Sequence, residues 1–454
     1  MRLLTLLALL ASPILPADIY YLLWFDTEDW VEPTSDDSAL RLARDLESVG
    51  VRATFKVVGE KARVLERRGR TDVIRALSRH DIGYHAETHS IPPAPATYMK
   101  HLGMIEGAEE FERREGQGVR DIERIFGVTP SCYGQPGSSW GPQSTIALRR
   151  LGIPAYMDEG SQVGFEQQPF WYGGILFVFN LRQFNMRAEL NDESKLGEAT
   201  AKFDAAVAEL ERRGGGVIHT YYHPTEFSAT EFWDAVNFSK GRYTPPGEYK
   251  KPNLRTPESR ERAHRILMQF VEHVRKTPSV RIITARQLTQ IFATPVAPVD
   301  REAARQQLRR SIDIMGPHSA ADLLLAVLGI NQCYVDGPTQ RKQSNLSAAS
   351  IPRELFERGK RSAIEAIERQ NRLPSHVWFG SEFLSLADFA ATAAWDDGGP
   401  QVAVKRGELA FERQVATDGR GSFNWAIHPD GFDGSELLEL GRLQAWTLKP
   451  AKLR

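Results

Sequence analysis

Ile19-Tyr20-Tyr21-Leu22-Leu23-Trp24-Phe25 runs without a break into Asp26-Thr27-Glu28-Asp29. The apolar run reads as a strand, and the acidic residues stand where that strand ends. Further on, Ile82-Gly83-Tyr84 leads directly into His85-Ala86-Glu87-Thr88-His89. Two imidazoles at this spacing reach the same side of a helical turn and can grip one divalent cation. Acidic residues at a strand's end, followed by such a pair, read as a metal site with a carboxylate to spare.

Outward from these stretches, short apolar runs alternate with helical patterns from Asp18 to about Phe292. The expected strands are Ile19–Phe25, Ala53–Val57, Ile82–Tyr84, Ser131–Tyr133, Pro154–Met157, Ile175–Phe179, Gly216–Tyr222 and Val280–Ile283. Three-four periodicity marks helices between them, for example over Ala39–Val49, Ala108–Ile125 and Leu196–Arg212. This alternation predicts an α/β fold of parallel strands with crossover helices. Seven or eight such repeats fit a distorted (β/α)7–8 barrel better than an open sheet, with the chemistry where strands end and loops begin. The Pro-rich Ala293-Thr294-Pro295-Val296-Ala297-Pro298-Val299 marks a boundary, giving a catalytic unit over 18–293 and a smaller, mainly helical domain over 299–454. Two segments of that second domain are alike, Ser319-Ala320-Ala321-Asp322-Leu323-Leu324 and Ser385-Leu386-Ala387-Asp388-Phe389-Ala390, and read as a weak internal duplication.

The formal net charge of −1 gives no electrostatic argument for nucleic acid or an anionic membrane as partner. Cys132 and Cys333 fit no metal-knuckle spacing and read as free thiols, although export would let them pair. One positive charge at Arg2, a Leu-rich run to Leu15 and Pro16-Ala17-Asp18 make residues 1–17 a signal peptide, so a secreted or periplasmic protein is expected. No other segment approaches the length of a membrane span.

Residues 18 to about 292 resemble the metal-dependent polysaccharide deacetylases of the NodB-homology class, carbohydrate esterase family four. Five ordered pieces carry the resemblance: Phe25-Asp26-Thr27-Glu28-Asp29-Trp30, Arg52-Ala53-Thr54-Phe55-Lys56-Val57-Val58-Gly59, Ile82 through Ser90, Tyr133-Gly134-Gln135-Pro136-Gly137-Ser138-Ser139-Trp140, and Gly216-Val217-Ile218-His219-Thr220-Tyr221-Tyr222-His223-Pro224. Arg281 through Leu288 is similar to the family's closing phrase. The C-terminal domain more loosely resembles repeat modules that bind cell-wall polymers.

The resemblance implies one divalent metal, zinc being the expected ion, held by His85, His89 and a carboxylate of the first piece. Alternation along a continuing strand puts Asp26 and Glu28 on one face. A turn after Thr27 would favour Asp29 instead, so Glu28 and Asp29 both stand as candidate ligands. By the same resemblance Asp26 is the general base and His223 the general acid, roles that need opposite protonation states. Where the family has an arginine that pairs with the base aspartate, this chain has Gln135. A neutral amide orients but carries no charge, so Asp26 is expected to have a higher pKa than in family members with the arginine. Asp158 is expected to orient a histidine, and His219 to be a core histidine satisfied by hydrogen bonds. Phe232, Trp233, Phe238, Tyr243, Trp140, Trp171 and Tyr172 are candidate platforms for sugar rings. The expected substrate is an acetylated polysaccharide or cell-wall glycan. Two alternatives stand beside it: a hydrolase of a small non-sugar amide, and a non-catalytic glycan-binding protein.

Overall fold

A computed structural model describes residues 18–293, 298–331 and 334–453. The proposed signal segment, Cys333 and most of the Pro-rich boundary lie outside the described residues. The apolar run at the N-terminus becomes β1 (Asp18–Thr27), and every residue after Asp18 is buried. Strands buried on both faces read as continuous apolar runs rather than alternating ones. β2 (Thr54–Val57), β3 (Asp81–Tyr84), β4 (Ala155–Asp158), β5 (Phe170–Tyr172), β6 (Ile175–Phe179), β7 (Gly215–Tyr222) and β8 (Val280–Ile283) follow.

β1 is the axis of the sheet. β7 pairs with it in parallel from Asp18↔Gly215 to Phe25↔Tyr222. β8 pairs with its first half and β2 with its second, where Asp26 faces Lys56. β3 lies against β2, and single bridges Tyr84↔Tyr133 and Tyr133↔Tyr156 continue the parallel order to β4 and β6. The expected strand at Ser131–Tyr133 is thus one bridging residue. β5 forms an antiparallel hairpin with β6 that sequence patterning does not foresee. Among the described residues no strand-to-strand pairing joins β6 to β7, and one bridge, Asn185↔His219, spans that interval. The pairings give an α/β fold with a parallel sheet. The helices cover it as amphipathic elements: Thr34–Ser48 buries Ala39, Leu42, Ala43 and Leu46.

Beyond residue 298 the chain is largely helical, and it returns to the sheet. The two-residue strand Lys449–Pro450 pairs with β5. Tyr172 Oη donates to Gly441 O (2.8 Å), and Arg149 Nη2 donates to both carboxylate oxygens of Asp336 (2.8 and 2.9 Å). Trp446, Phe411 and Leu438 belong to the same buried cluster as the sheet residues. The two similar segments are both helix starts. Ser319 and Ser385 each accept, through Oγ, the backbone N–H three residues on (3.1 Å in both) and so cap the helices Ala320–Leu328 and Leu386–Trp395. Cys132 is a buried free thiol. No helix among the described residues is long and apolar enough to cross a membrane.

A core shared across residue 298 predicts cooperative unfolding. Urea titrations followed by tryptophan fluorescence and by far-ultraviolet circular dichroism are expected to give one coincident transition. Two separated transitions would mean that the C-terminal part is an independent unit.

Candidate metal centre

Parallel strands bring their C-terminal ends to one rim, and the chemistry-bearing residues stand there. Asp26 lies near the end of β1 and Glu28 just past it. His85 follows β3, Asp158 closes β4 and His223 follows β7. The His-x-x-x-His segment is not a helical turn, contrary to the sequence expectation. It is a loop in which Ala86 (φ 67°) and His89 (φ 60°) both adopt left-handed backbone. Such backbone costs about 1–3 kcal/mol per residue and persists only where the surroundings over-determine it. The two imidazoles converge because of this turn, with ring centroids 4.9 Å apart.

Glu28, His85 and His89 are buried and offer ligand atoms all within 4.8 Å of one another. Glu28 Oε2 lies 2.8 Å from His89 Nε2 and 3.6 Å from His85 Nε2. Outer partners aim each donor. His85 Nδ1 sits 2.9 Å from Gly134 O, which can only accept, so the ring proton is on Nδ1 and the Nε2 lone pair faces the cluster. Ser90 Oγ donates to Asp234 Oδ2 (3.1 Å) and therefore accepts from His89 Nδ1 (2.5 Å), so His89 Nε2 is the nitrogen turned toward Glu28 Oε2. Trp233 Nε1 donates to Glu28 Oε1 (3.1 Å), which directs Oε2 toward the histidines. One carboxylate and two imidazoles, each oriented from behind, suit a single divalent cation with a position left open.

Asp29 is not in this cluster, which corrects its candidacy as ligand. Its Oδ1 accepts the backbone N–H groups of Val31 and Glu32 (both 2.9 Å), and its Oδ2 accepts from Thr225 Oγ1 (3.2 Å). The chain turns after Thr27, as one of the two sequence readings allowed, yet that turn consumes the Asp29 carboxylate in capping itself. Glu87, inside the histidine motif, also points away and pairs with Arg63 (2.6 Å).

Gln135 does not hold Asp26 either. Its Nε2 donates to Gly137 O (2.9 Å) and its Oε1 accepts from Tyr156 Oη (2.9 Å), although the residue does line the cavity. The cation beside Asp26 comes from β2. Lys56 Nζ stands 2.9 Å from Asp26 Oδ1 and 3.0 Å from Asp158 Oδ2, and it also donates to Met157 O (2.9 Å). The lysine is fully buried. Two glycines make room for it: a Cβ on Gly83 would meet Lys56 Cγ at 2.9 Å, and one on Gly134 would overlap Nζ. Burial pushes the Asp26 carboxyl up, but Lys56, His85 and His223 outweigh it and leave Asp26 below its ordinary value. The charge that the family's arginine would bring is thus brought by Lys56, a contact the sequence expectation did not include. Asp158 orients the lysine rather than a histidine, and burial carries it up to about 7.

His223 Nε2 lies 3.8 Å from Asp26 Oδ2 and 4.0 Å from Glu28 Oε2, while its Nδ1 is 2.8 Å from Glu226 Oε1. Burial pulls its pKa down, yet Glu28, Glu226 and Asp26 more than offset this and raise it to about 9. His85 is lowered to about 4, by burial first. His219 is buried and stacked on Trp24 (4.8 Å), as a core histidine would be. Neither ring nitrogen makes a hydrogen bond, which corrects the expectation of a satisfied core histidine: Nε2 is 2.8 Å from Glu159 Oε1 but the pair is not aligned for one.

Asp26, Glu28, His85, His89, Asp158 and His223 line a cavity of about 520 Å³. Of the expected aromatic platforms, Phe232 lines it, whereas Trp140, Trp171, Tyr172, Trp233 and Phe238 are buried in packing and Tyr243 is exposed. Tyr221 and Trp425 contribute instead. Sequence reading passed over Lys56, although a lysine inside the strand Thr54-Phe55-Lys56-Val57 is a signal in its own right. A charge inside a buried strand requires a buried partner.

Metal analysis after dialysis is expected to find Glu28→Gln depleted of metal and Asp29→Asn loaded like the parent. Lys56→Met leaves two buried carboxylates without their cation and is expected to cost about 3–5 kcal/mol of stability, read as a lowered urea midpoint. Adding Asp158→Asn should restore part of that loss.

No protein-family model matches the sequence, and no curated protein does. Solved structures do align with it, polysaccharide deacetylases among them, over about 60% of the chain at low identity. A protein assigned as a polysaccharide deacetylase from Mycobacterium smegmatis is 15% identical, with TM-score 0.40, over 61% of this chain and 90% of its own. A pseudoenzyme of carbohydrate esterase family four from Bacillus anthracis is 13% identical, with TM-score 0.31, over 59% and 65%. An allantoinase is 13% identical, with TM-score 0.38, over 61% and 91%.

Proposed function

We propose that this protein is a metal-dependent hydrolase that removes acetyl groups from a glycan, with the N-acetyl amide as the main target. The observation that carries this reading is the convergence of Glu28, His85 and His89 on one point, with Asp26 and His223 at its edge. A binding protein has no need of such a set. The sheet is read as a distorted barrel opened between β6 and β7, and the site occupies its rim.

Glu28, His85 and His89 would hold the ion, and zinc is proposed because imidazole and carboxylate donors suit it. A divalent cation bound there acidifies a water molecule and polarises the acyl carbonyl. Asp26 is held ionised by Lys56 and takes a proton from the attacking water. Lys56 also fixes the carboxylate in place, since its own position is set by Asp158 and Met157 O. His223 carries a proton on Nε2 because its pKa is raised, and it delivers that proton to the departing nitrogen. Glu226 holds the ring through Nδ1 and stabilises the charged form. Water and amide thus leave as a carboxylic acid and an amine. Residues 1–17 are read as an export signal, which puts the enzyme where cell-wall or environmental glycans are met.

Acetate release from acetylated chitooligosaccharides, xylan and peptidoglycan tests the reading. His223→Ala is expected to lower kcat by about 10²–10⁴ while metal content stays at the parent level. A metal-loaded protein that frees no acetate from any acetylated glycan would refute it.

A further inference from the structure

The cavity above the metal cluster is not built by the sheet alone. Residues Gly421, Ser422, Asn424, Trp425, Ala426 and Ile427, from the C-terminal part of the chain, also line it. The segment is tied to three separate loops of the sheet portion. Gln162 Nε2 donates to Ser422 O (2.6 Å), Trp425 N donates to Ser138 Oγ (3.0 Å), and Lys240 N donates to Ala426 O (2.8 Å). Gly137 has positive φ (48°), and a Cβ there would overlap the Trp425 indole, so the glycine lets the ring lie on the loop. The indole in turn stands edge-to-face with the metal-ligand candidate His89, with centroids 5.4 Å apart. Near His223, Phe232 stands edge-to-face with that imidazole at 4.9 Å. Aromatic rings thus stand beside both a metal-ligand candidate and the proposed acid.

We propose that Gly421–Ile427 is a fixed wall of the active site that restricts the substrate to a short saccharide or the end of a glycan chain, whose acylated unit terminates inside the cavity. This inference rests on the hydrolase reading given above. The interior unit of a polymer must leave the site in two directions, and on this proposal the wall closes one of them. Moving it aside would break three hydrogen bonds and would expose the apolar contacts of Trp425. A cavity of about 520 Å³ is of the size that encloses a small ligand rather than a length of polymer. Its lining mixes aromatic faces (Tyr221, Phe232, Trp425) with polar groups (Ser161, Ser422, Asn424), a composition suited to a sugar ring.

The test uses the full chain loaded with zinc and an N-acetylated oligosaccharide series from monomer to hexamer, together with the polymer. The expected result is a kcat/KM that does not rise beyond the dimer, with deacetylation confined to chain ends by mass spectrometry. A kcat/KM that rises about tenfold from dimer to hexamer, or acetate lost from interior units, would overturn the wall. In Trp425→Ala the hexamer-to-dimer ratio of kcat/KM is expected to rise about tenfold, and an unchanged ratio counts against the proposal. A protein that binds zinc yet frees no acetate from any member refutes the hydrolase reading instead. Calorimetric affinities for the same series then decide the wall separately: affinity flat with length supports it, and affinity rising with length overturns it.

Discussion

Three carboxylates, Asp26, Glu28 and Asp158, meet at one rim of the sheet almost out of reach of water, and their charge has to be answered from inside the protein. Desolvating a charge costs several kcal/mol unless a partner returns it. Lys56 answers two of them, bridging Asp26 and Asp158 from the neighbouring strand. Glu28 is answered by imidazoles, and with them it forms a cluster that suits a divalent cation. Gly83 and Gly134 make the space the lysine occupies, and Gly134 O in turn holds His85 Nδ1.

The different settings of Asp26, in β1, and Glu28, just past it, follow from their partners. Asp26 sits opposite Lys56 in register, and the lysine, with His85 and His223, outweighs the upward push of burial on its pKa. Glu28 has left the strand and has one oxygen taken by Trp233, so the other can serve the cluster. His223 sits between them, and its pKa rises because it faces two carboxylates and is backed by a third, Glu226. Asp26 and His223 are thus driven to opposite shifts by different neighbours, Lys56 for the first and three carboxylates for the second.

The C-terminal part ties fold and site together. It contributes a strand beside β5, a share of the common core and a stretch of the cavity lining. Its two similar segments have a local explanation, since serine followed three residues later by aspartate is a capping pattern that any two apolar helices can share. Repeated sequence here reflects repeated helix starts.

What the sequence by itself determined is the alternating α/β order, most strand positions within a residue or two, and the residue types of the site. Asp26, Glu28, His85, His89 and His223 are legible because apolar runs that end in ionisable residues mark the rim of a parallel sheet. Tertiary structure alone decided between Glu28 and Asp29, because the choice depends on which carboxylate the local turn consumes. It also decided that the charge beside Asp26 comes from Lys56 rather than from the loop holding Gln135, since strand register and two small glycines set that contact. The wall at Gly421–Ile427 lies far along the chain from the metal cluster, and periodicity and spacing describe only neighbours in sequence. Which distant segments meet is settled by packing.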